Sequence, residues 1–420
     1  MYKHTKILGL FFLVLWYVLS PSSIYGQLTI GQYEDEAPFR TWNIYGTSSA
    51  LSFGMGNARY AVPAKNSWTA NPALLTLGPE FSISLTGATT ESSIQKYGII
   101  NTGVFITSED TISARYYSLD SMGIQFRYRD WGIGFSTGIL EDYGRPKVDY
   151  EEDYEGIPVY TLNFSQEGYL RGYSIGLSRK FGKKISLGVG INIVDGTMTE
   201  SFEEELLYLQ LSYDNHKNHK LQGLFFNGGI HIQMSERIAI AAVIRTPYTK
   251  KTASDSIFEY NSSLTNTNIQ IKADAENTYK IPLLLGLGFH FNLTDSLRMA
   301  MDLSYFNWAQ YKVHYFDEDF DRNFRNVLKF NTGLEYATPI NLFGQEALAP
   351  LRVGFIYDPQ PMRFPQSRYL YFTMGAGLQI GRFTLDIAAI IGRESGSGHG
   401  LFAQKSLVTI SYRLDRGPLT

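Results

Sequence analysis

Three features of the sequence predict an all-β protein: a transmembrane antiparallel β-barrel of about 14 strands with an N-terminal hatch in the lumen. From Phe81 onward, apolar residues alternate with polar or small ones at period 2, the signature of strands with two different faces. The breaks between these runs are by turns short and long. No stretch reaches the ~18 consecutive apolar residues that a membrane helix needs, so if this chain stands in a bilayer it crosses with strands.

Each strand rests on its own alternation. Met122, Ile124, Phe126 and Tyr128 share one face, with Gly123, Gln125, Arg127 and Arg129 on the other. Ile185, Leu187, Val189, Ile191 and Ile193 oppose Ser186, Gly188, Gly190 and Asn192. Leu370, Phe372, Met374, Ala376, Leu378 and Ile380 oppose Tyr371, Thr373, Gly375, Gly377 and Gln379. Phe383, Leu385 and Ile387 oppose Thr384 and Asp386, and Val408, Ile410 and Tyr412 oppose Thr409, Ser411 and Arg413. The large apolar residues belong to the lipid side. Charge there costs about 2–4 kcal/mol at mid-membrane, so Arg127, Arg129, Arg245, Arg298, Asp302, Glu335, Arg352, Asp386 and Arg413 are assigned to the lumen.

The connections sort into two kinds. Short ones fall at 129–131, 181–185, 234–237, 293–296 and 380–383. Long polar ones fall near 94–117, 143–167, 200–220, 250–277, 313–325, 361–368 and 394–405, with a medium turn near 340–350. Membrane barrels have short periplasmic turns and long extracellular loops. A soluble β-sandwich would not separate its loop lengths so regularly, and would carry more Lys and Glu on its polar faces. Composition agrees: charged residues are only 18%, while 29 Tyr and 27 Phe supply most of the aromatic content, as girdled strands require. A net charge of -3 leaves no nucleic-acid footprint. The absence of cysteine excludes disulfides, thiolate metal sites, cysteine nucleophiles and a lipidated N-terminal Cys.

The N-terminus has the form of a signal peptide over 1–26. Lys3, His4 and Lys6 precede an apolar run from Ile7 to Leu19, which Pro21, Ser22 and Ser23 end; cleavage after Gly26 would leave Gln27 first. Residues 27–79 lack alternation and hold Gly46, Gly54, Gly56, Pro63, Pro72 and Gly78. Such a segment cannot cross a membrane as a strand; small residues and glycines suit a compact coil threaded through a lumen. The expected organisation is therefore a signal peptide (1–26), a hatch or plug (27–79), a barrel (80–414) and a short tail (415–420).

At this point a resemblance becomes specific. Ser52-Phe53-Gly54-Met55-Gly56-Asn57-Ala58, then Asn71-Pro72-Ala73-Leu74-Leu75 ahead of a first strand, resembles the FadL family of outer-membrane transporters for long-chain fatty acids and other hydrophobic compounds. Ile281-Pro282, Gly286, Asp302 and Trp308, then Arg352 to Tyr357, Gly375-Ala376-Gly377 and Leu385-Asp386, follow that family's order along nearly the whole mature chain. The chain departs from the pattern in running six residues past Leu414 and in a shorter segment at 200–220. The resemblance implies a fourteen-stranded barrel with a plug, in the outer membrane of a Gram-negative bacterium, with a Bacteroidetes source also suggested. It implies passive uptake of hydrophobic molecules such as long-chain fatty acids, bound in the lumen and released sideways through the wall. The alternative is a shuttle or interaction subunit similar to the FadL-like barrels of type IX protein secretion.

Candidate residues follow. Gly54, Gly56, Asn71, Pro72 and Ala73 are the hatch and gating set: Pro72 fixes φ and keeps Asn71 out of the helical region, and the Asn71 side chain can brace the corner. Arg127, Arg245 and Arg352 are candidates to hold a ligand carboxylate by bidentate contacts. Gly138, Gly144 and Pro146, in and after the third strand, are the candidate lateral gate, because Gly and Pro weaken ladder pairing. The Gly-x-Gly pairs at 132/134, 188/190, 286/288 and 375/377 open no helix, so they do not make a dinucleotide site; they leave room inside the barrel. Acidic runs at 151–153 and 317–321 read as solvated loops. No catalytic residue, metal site or cofactor is expected, and the protein is expected to work as a monomer among hydrophobic molecules, outer-membrane lipid and lipopolysaccharide.

Overall fold

The computed structural model describes residues 49–414, apart from 65, 95–96, 102–103, 109–111, 145–146, 208–209, 316–317, 343, 364–365 and 397–401. The expected signal peptide, the first part of the expected hatch, the expected C-terminal tail and Pro146 lie outside the described residues.

Fourteen antiparallel strands close into one barrel. They are β1 (Phe81–Ile94), β2 (Ile112–Tyr128), β3 (Trp131–Asp142), β4 (Ile157–Phe181), β5 (Ile185–Leu206) and β6 (Leu211–Gln233). Three interrupted strands follow: β7 (Ile238–Arg245 and Tyr248–Ser262), β8 (Thr267–Ile281 and Leu284–Asn292) and β9 (Leu297–Phe306 and Lys312–Tyr315). The last are β10 (Val327–Leu342), β11 (Gln345–Pro359), β12 (Arg368–Ile380), β13 (Phe383–Ser395) and β14 (Phe402–Leu414). β1 pairs with β2 on one side and with β14 on the other, from Phe81↔Leu414 to Ser93↔Phe402, which removes both sheet edges.

The two faces differ as the alternation requires. Val189, Ile193 and Phe372 are 62%, 53% and 65% exposed on the outside, whereas Asn192, Asp302 and Asp386 are 3%, 3% and 0% exposed within. Phe126 and Leu285 also face out, and Gln125 and Gly286 face in. On β5 the outward apolar row runs from Ile185 to Ile193 and then gives way to Asp195, Thr197 and Thr199. That apolar length matches the roughly 9–11 residues a membrane strand needs. The outward band is stable only in lipid, and barrels of this kind stand in outer membranes.

Two expectations change. The segments 143–167, 200–220 and 250–277, expected as loops, are largely strand: β4 to β8 continue well beyond the apolar band and form a collar on one side of the barrel. Above the band both faces are polar enough to hide the alternation. Arg129, expected in the lumen, has φ +53° and turns outward in the β2–β3 turn, its guanidinium 5.1 Å from the Tyr128 ring centre. The chain must reverse within two residues there, and the turn geometry overrides the strand parity.

β7 and β8 each break at a proline, Pro247 and Pro282, and β9 breaks at Trp308–Gln310. Across each break the facing shifts by one residue. On β7, Arg245 and then Tyr248 and Lys250 face in; on β8, Leu285 and then Lys280 face out. A prolyl nitrogen cannot donate to a ladder, so the break acts as a bulge that re-aims the upper strand.

Candidate functional site

The described part of the N-terminal segment, residues 49–80, lies inside the barrel. A short helix, Ala50–Gly54, is capped by Ser49, whose hydroxyl accepts from Ser52 N. Two short 3-10 turns follow, Ser67–Thr69 and Pro72–Thr76. Nearly every residue from Ser49 to Val62 and from Asn66 to Thr76 is buried.

This segment is tied to the wall around most of the circumference. Ala50 N donates to Thr409 Oγ1 at 2.8 Å, and Thr373 Oγ1 donates to Gly54 O at 3.1 Å. Asn331 Nδ2 donates to Gly56 O at 2.7 Å, and Arg59 N and Tyr60 N donate to the Asp302 carboxyl at 2.6 and 3.1 Å. Asn227 Nδ2 donates to Thr69 O at 3.1 Å, and Arg127 Nε to Gly78 O at 2.7 Å. The Tyr60 hydroxyl lies 2.8 Å from Ser304 Oγ. Burial, then the nearby Asp302, push its phenol up to about 12, so it stays neutral.

Asn71 is tied in three directions. Its Oδ1 accepts from Ala73 N at 3.1 Å, while its Nδ2 donates to Tyr60 O at 2.7 Å and to Ile230 O on β6 at 3.3 Å. One side chain thus braces its own corner, a distant part of the segment and the wall. Inward glycines of the wall make the room. A Cβ on Gly188 would strike Pro72 and Ala73, one on Gly229 would strike the Asn71 amide, and one on Gly375 would press on Gly54. Gly56, at φ +63°, is packed against the backbone of Thr332 and Phe355, a turn that only glycine fits.

Around the segment the lumen has two characters. Toward the short-turn end it is polar. A cavity of about 1190 Å³ opens there, lined by Trp68, Leu77, Arg127, His290, Arg298 and Arg352 among others. Arg352 is held by Glu335 at 2.6 Å and Asp386 at 2.8 Å, and Arg298 by Glu335 at 2.7 Å. Toward the long-loop end it is apolar and aromatic: Leu170, Val194, Phe225, Tyr248, Tyr279 and Trp308 belong to one buried cluster that also touches Tyr60.

Buried cations in the lumen mostly have a carboxylate: Lys250 has Glu141 at 3.1 Å, Lys329 has Asp358 at 2.9 Å, and Lys405 has Asp120 at 2.5 Å. Arg245 differs. It is 7% exposed, its Nη2 donates to Pro282 O at 2.9 Å, and its guanidinium lies 5.8 Å from the Phe225 ring and 5.6 Å from the Tyr248 ring. No described carboxylate pairs with it, and its Nε has no hydrogen-bond partner among the described residues. Of the three expected arginines, then, Arg127 holds the end of the luminal segment, Arg352 is taken up by two acids, and Arg245 stands at the floor of the apolar chamber with no carboxylate partner among the described residues.

The third strand leaves the wall. β3 pairs with β2 only as far as Gly138↔Ser121, while β2 stays with β1 up to Ile112↔Ile94. Beyond Gly138, β3 follows β4 with a bulge between Ile139 and Glu141, and its end leans into the lumen. Leu140 and Tyr143 pack into the apolar cluster. Lys250 Nζ reaches across from β7 to the Tyr143 hydroxyl at 2.8 Å, and that hydroxyl donates to Glu141 at 2.5 Å. The β2–β3 ladder is therefore open above Gly138, crossed there by Arg171 Nη2 donating to Leu119 O at 3.0 Å. A Cβ on Gly144 would meet the Tyr116 ring. Lys250 and Glu141 escaped the sequence reading because the phase shift at Pro247 hides which of Lys250 and Lys251 faces in.

Fold and lumen together define a transmembrane β-barrel of the outer membrane with a buried segment in its lumen. The chain matches the BamG family model over residues 45–408 and belongs to that family. The likeness to FadL proteins lies in the fold. The Ralstonia pickettii toluene transporter TbuX superposes with a TM-score of 0.60 at 14% identity, covering 88% of this chain and 98% of its own. A Pseudomonas aeruginosa FadL homologue gives 0.60 at 14% identity, covering 89% and 99%. The P. putida toluene transporter TodX gives 0.57 at 14%, covering 88% and 99%. No curated protein sequence matches the chain.

Proposed function

We propose that this barrel passes hydrophobic molecules that carry an anionic head, such as long-chain fatty acids, into the outer membrane. The observation that carries the reading is Arg245: a guanidinium with no carboxylate partner among the described residues, floored against an aromatic chamber. A buried cation without a counter-ion is costly, and a ligand carboxylate would complete it by charge-assisted hydrogen bonds. The chamber would take the apolar tail, and the open ladder between β2 and β3 would let the molecule leave sideways, with the luminal segment closing the direct path. That several barrels of the same fold are described as toluene transporters or as a monoaromatic hydrocarbon channel supports a hydrophobic cargo.

A second reading, an interaction subunit that works through protein partners, is favoured by the one-sided collar of β4 to β8. One experiment separates the two. Purified protein in liposomes is given a labelled long-chain fatty acid and, separately, a neutral aromatic hydrocarbon. The channel reading expects uptake of both by wild type, and in Arg245→Gln a loss of fatty-acid uptake of about tenfold or more, the size of a lost charge-assisted bond, with the neutral compound unaffected. Equal losses for both compounds would sink the role of Arg245. Uptake no faster than in protein-free liposomes for either would favour the interaction subunit.

A further inference from the structure

The outer surface of β7, β8 and β9 carries a group of cations that the luminal pathway does not use. On β8, Lys280 faces outward and is paired in register with Lys312 on β9. One row further up, Lys251 on β7 pairs with Thr278, which pairs in turn with His314. Residues paired across a ladder share a face, and their Cβ atoms lie about 5 Å apart. Lys251, Lys280 and Lys312 are all exposed, and among the described residues no carboxylate forms an ion pair with any of them. Two like charges directly opposite each other destabilise a sheet. This wall keeps such a pair, Lys280 and Lys312, and adds a third lysine diagonal to it.

The height of the group identifies its surroundings. The outward apolar row on β8 ends with Leu285, on β7 with Ile244, and on β9 with Tyr305, an aromatic residue of the kind that marks the interface. The lysines begin just beyond, on the long-loop side, where the outer leaflet's headgroups lie. The surface is also concave there. A cavity of about 410 Å³ opens there, lined by Thr278, Lys280, Lys312, His314, Asp319 and Asp321 among others. The two acids are exposed, and Asp319 is occupied with His314 at 3.0 Å.

We propose that this cavity, its two lysines Lys280 and Lys312, and the neighbouring Lys251 form a binding site for the phosphates of an outer-leaflet glycolipid. A phosphorylated headgroup brings two or more negative charges to the like-charge pair, while its acyl chains lie along the apolar row below. Each lysine near an anionic membrane surface adds to the attraction for it. Free phosphate would meet the same lysines without the acyl anchorage, so lipid is the occupant that both the charge and the position select.

The test is native mass spectrometry of the purified full-length barrel in detergent, titrated with bisphosphorylated lipid A. Arms with fully dephosphorylated lipid A of the same acylation and with inorganic phosphate run in parallel. The site predicts stoichiometric binding of the phosphorylated lipid, at least tenfold weaker binding of the dephosphorylated one, and no displacement by millimolar phosphate. The triple variant K251Q/K280Q/K312Q should lose at least tenfold for the phosphorylated lipid only. All three side chains are exposed, so the variant should assemble, and heat-modifiable gel mobility verifies this. Equal binding by wild type and the triple variant, or equal binding of both lipids, overturns the proposal. Full displacement by phosphate overturns the lipid assignment.

Discussion

At the residue scale, Asn71 shows how little chemistry is needed to seat a plug. A single amide ties its own corner, the Tyr60 carbonyl and strand β6, in a space that exists only because Gly229 has no side chain. Truncation leaves the Ala73 amide and the Tyr60 carbonyl in a buried setting without their partner, at about 1–3 kcal/mol for each buried group left unsatisfied. Asn71→Ala should therefore leave the barrel assembled but loosen the segment. In hydrogen exchange, the amides of residues 71–76 should lose protection while those of β5 and β6 keep it, and fatty-acid uptake should change at equal surface expression. Unchanged protection at 71–76 would mean that the corner is held by packing alone.

The Asn-Pro pair was legible because proline's effect on its neighbour is local and covalent. The partners of Asn71 were not, since nothing near residue 71 in the sequence points to Ile230 or Gly229. The three arginines show the same division. Their inward facing follows from strand parity and the cost of charge in lipid. Only the packing distinguishes Arg352, held by two acids, from Arg245, which has no carboxylate partner among the described residues.

At the scale of elements, the inward lean of β3 rests on a small polar latch. Lys250, Glu141 and Tyr143 join strands far apart in the wall, and Lys250 is almost wholly buried. Removing one member of a buried pair strands the other charge, at about 3–5 kcal/mol. We expect Lys250→Met to free the end of β3 without unfolding the barrel. Amides 139–143 should exchange faster by at least tenfold, while the paired stretch Trp131–Gly138 stays protected, and uptake should become faster and less selective for chain length. Equal exchange at 139–143 in the two proteins would show that the lean is set by Leu140 and Tyr143 packing instead. The lean was legible only in outline: Gly138 and Gly144 mark the place, but the break falls where β2 keeps its bonds to β1 and β3 keeps its bonds to β4.

At the scale of the whole molecule, the barrel was legible wherever one face met lipid. Over residues 185–193 the apolar row faces lipid while Ser186, Gly188, Gly190 and Asn192 face the lumen, so the two faces differ sharply in chemistry. Above the band this contrast fades, which is why the collar strands read as loops. Pro247 and Pro282 then shift the phase, so parity carried up from below assigns the wrong face. In the proposed route, the apolar chamber, Arg245, the luminal segment and the open stretch between β2 and β3 act in a single path.

The most direct test of that path is to lock its exit. The chain has no cysteine, so a pair introduced at Leu119 and Arg171, on the two sides of the open ladder, can be bridged by a short bismaleimide and shows no background reaction. In liposomes carrying the L119C/R171C protein, bridging should cut fatty-acid uptake to the protein-free rate, and each single-cysteine control treated with the same reagent should keep wild-type uptake. Undiminished uptake after complete bridging would contradict the account, because the molecules would then be crossing by a route other than the gap between β2 and β3.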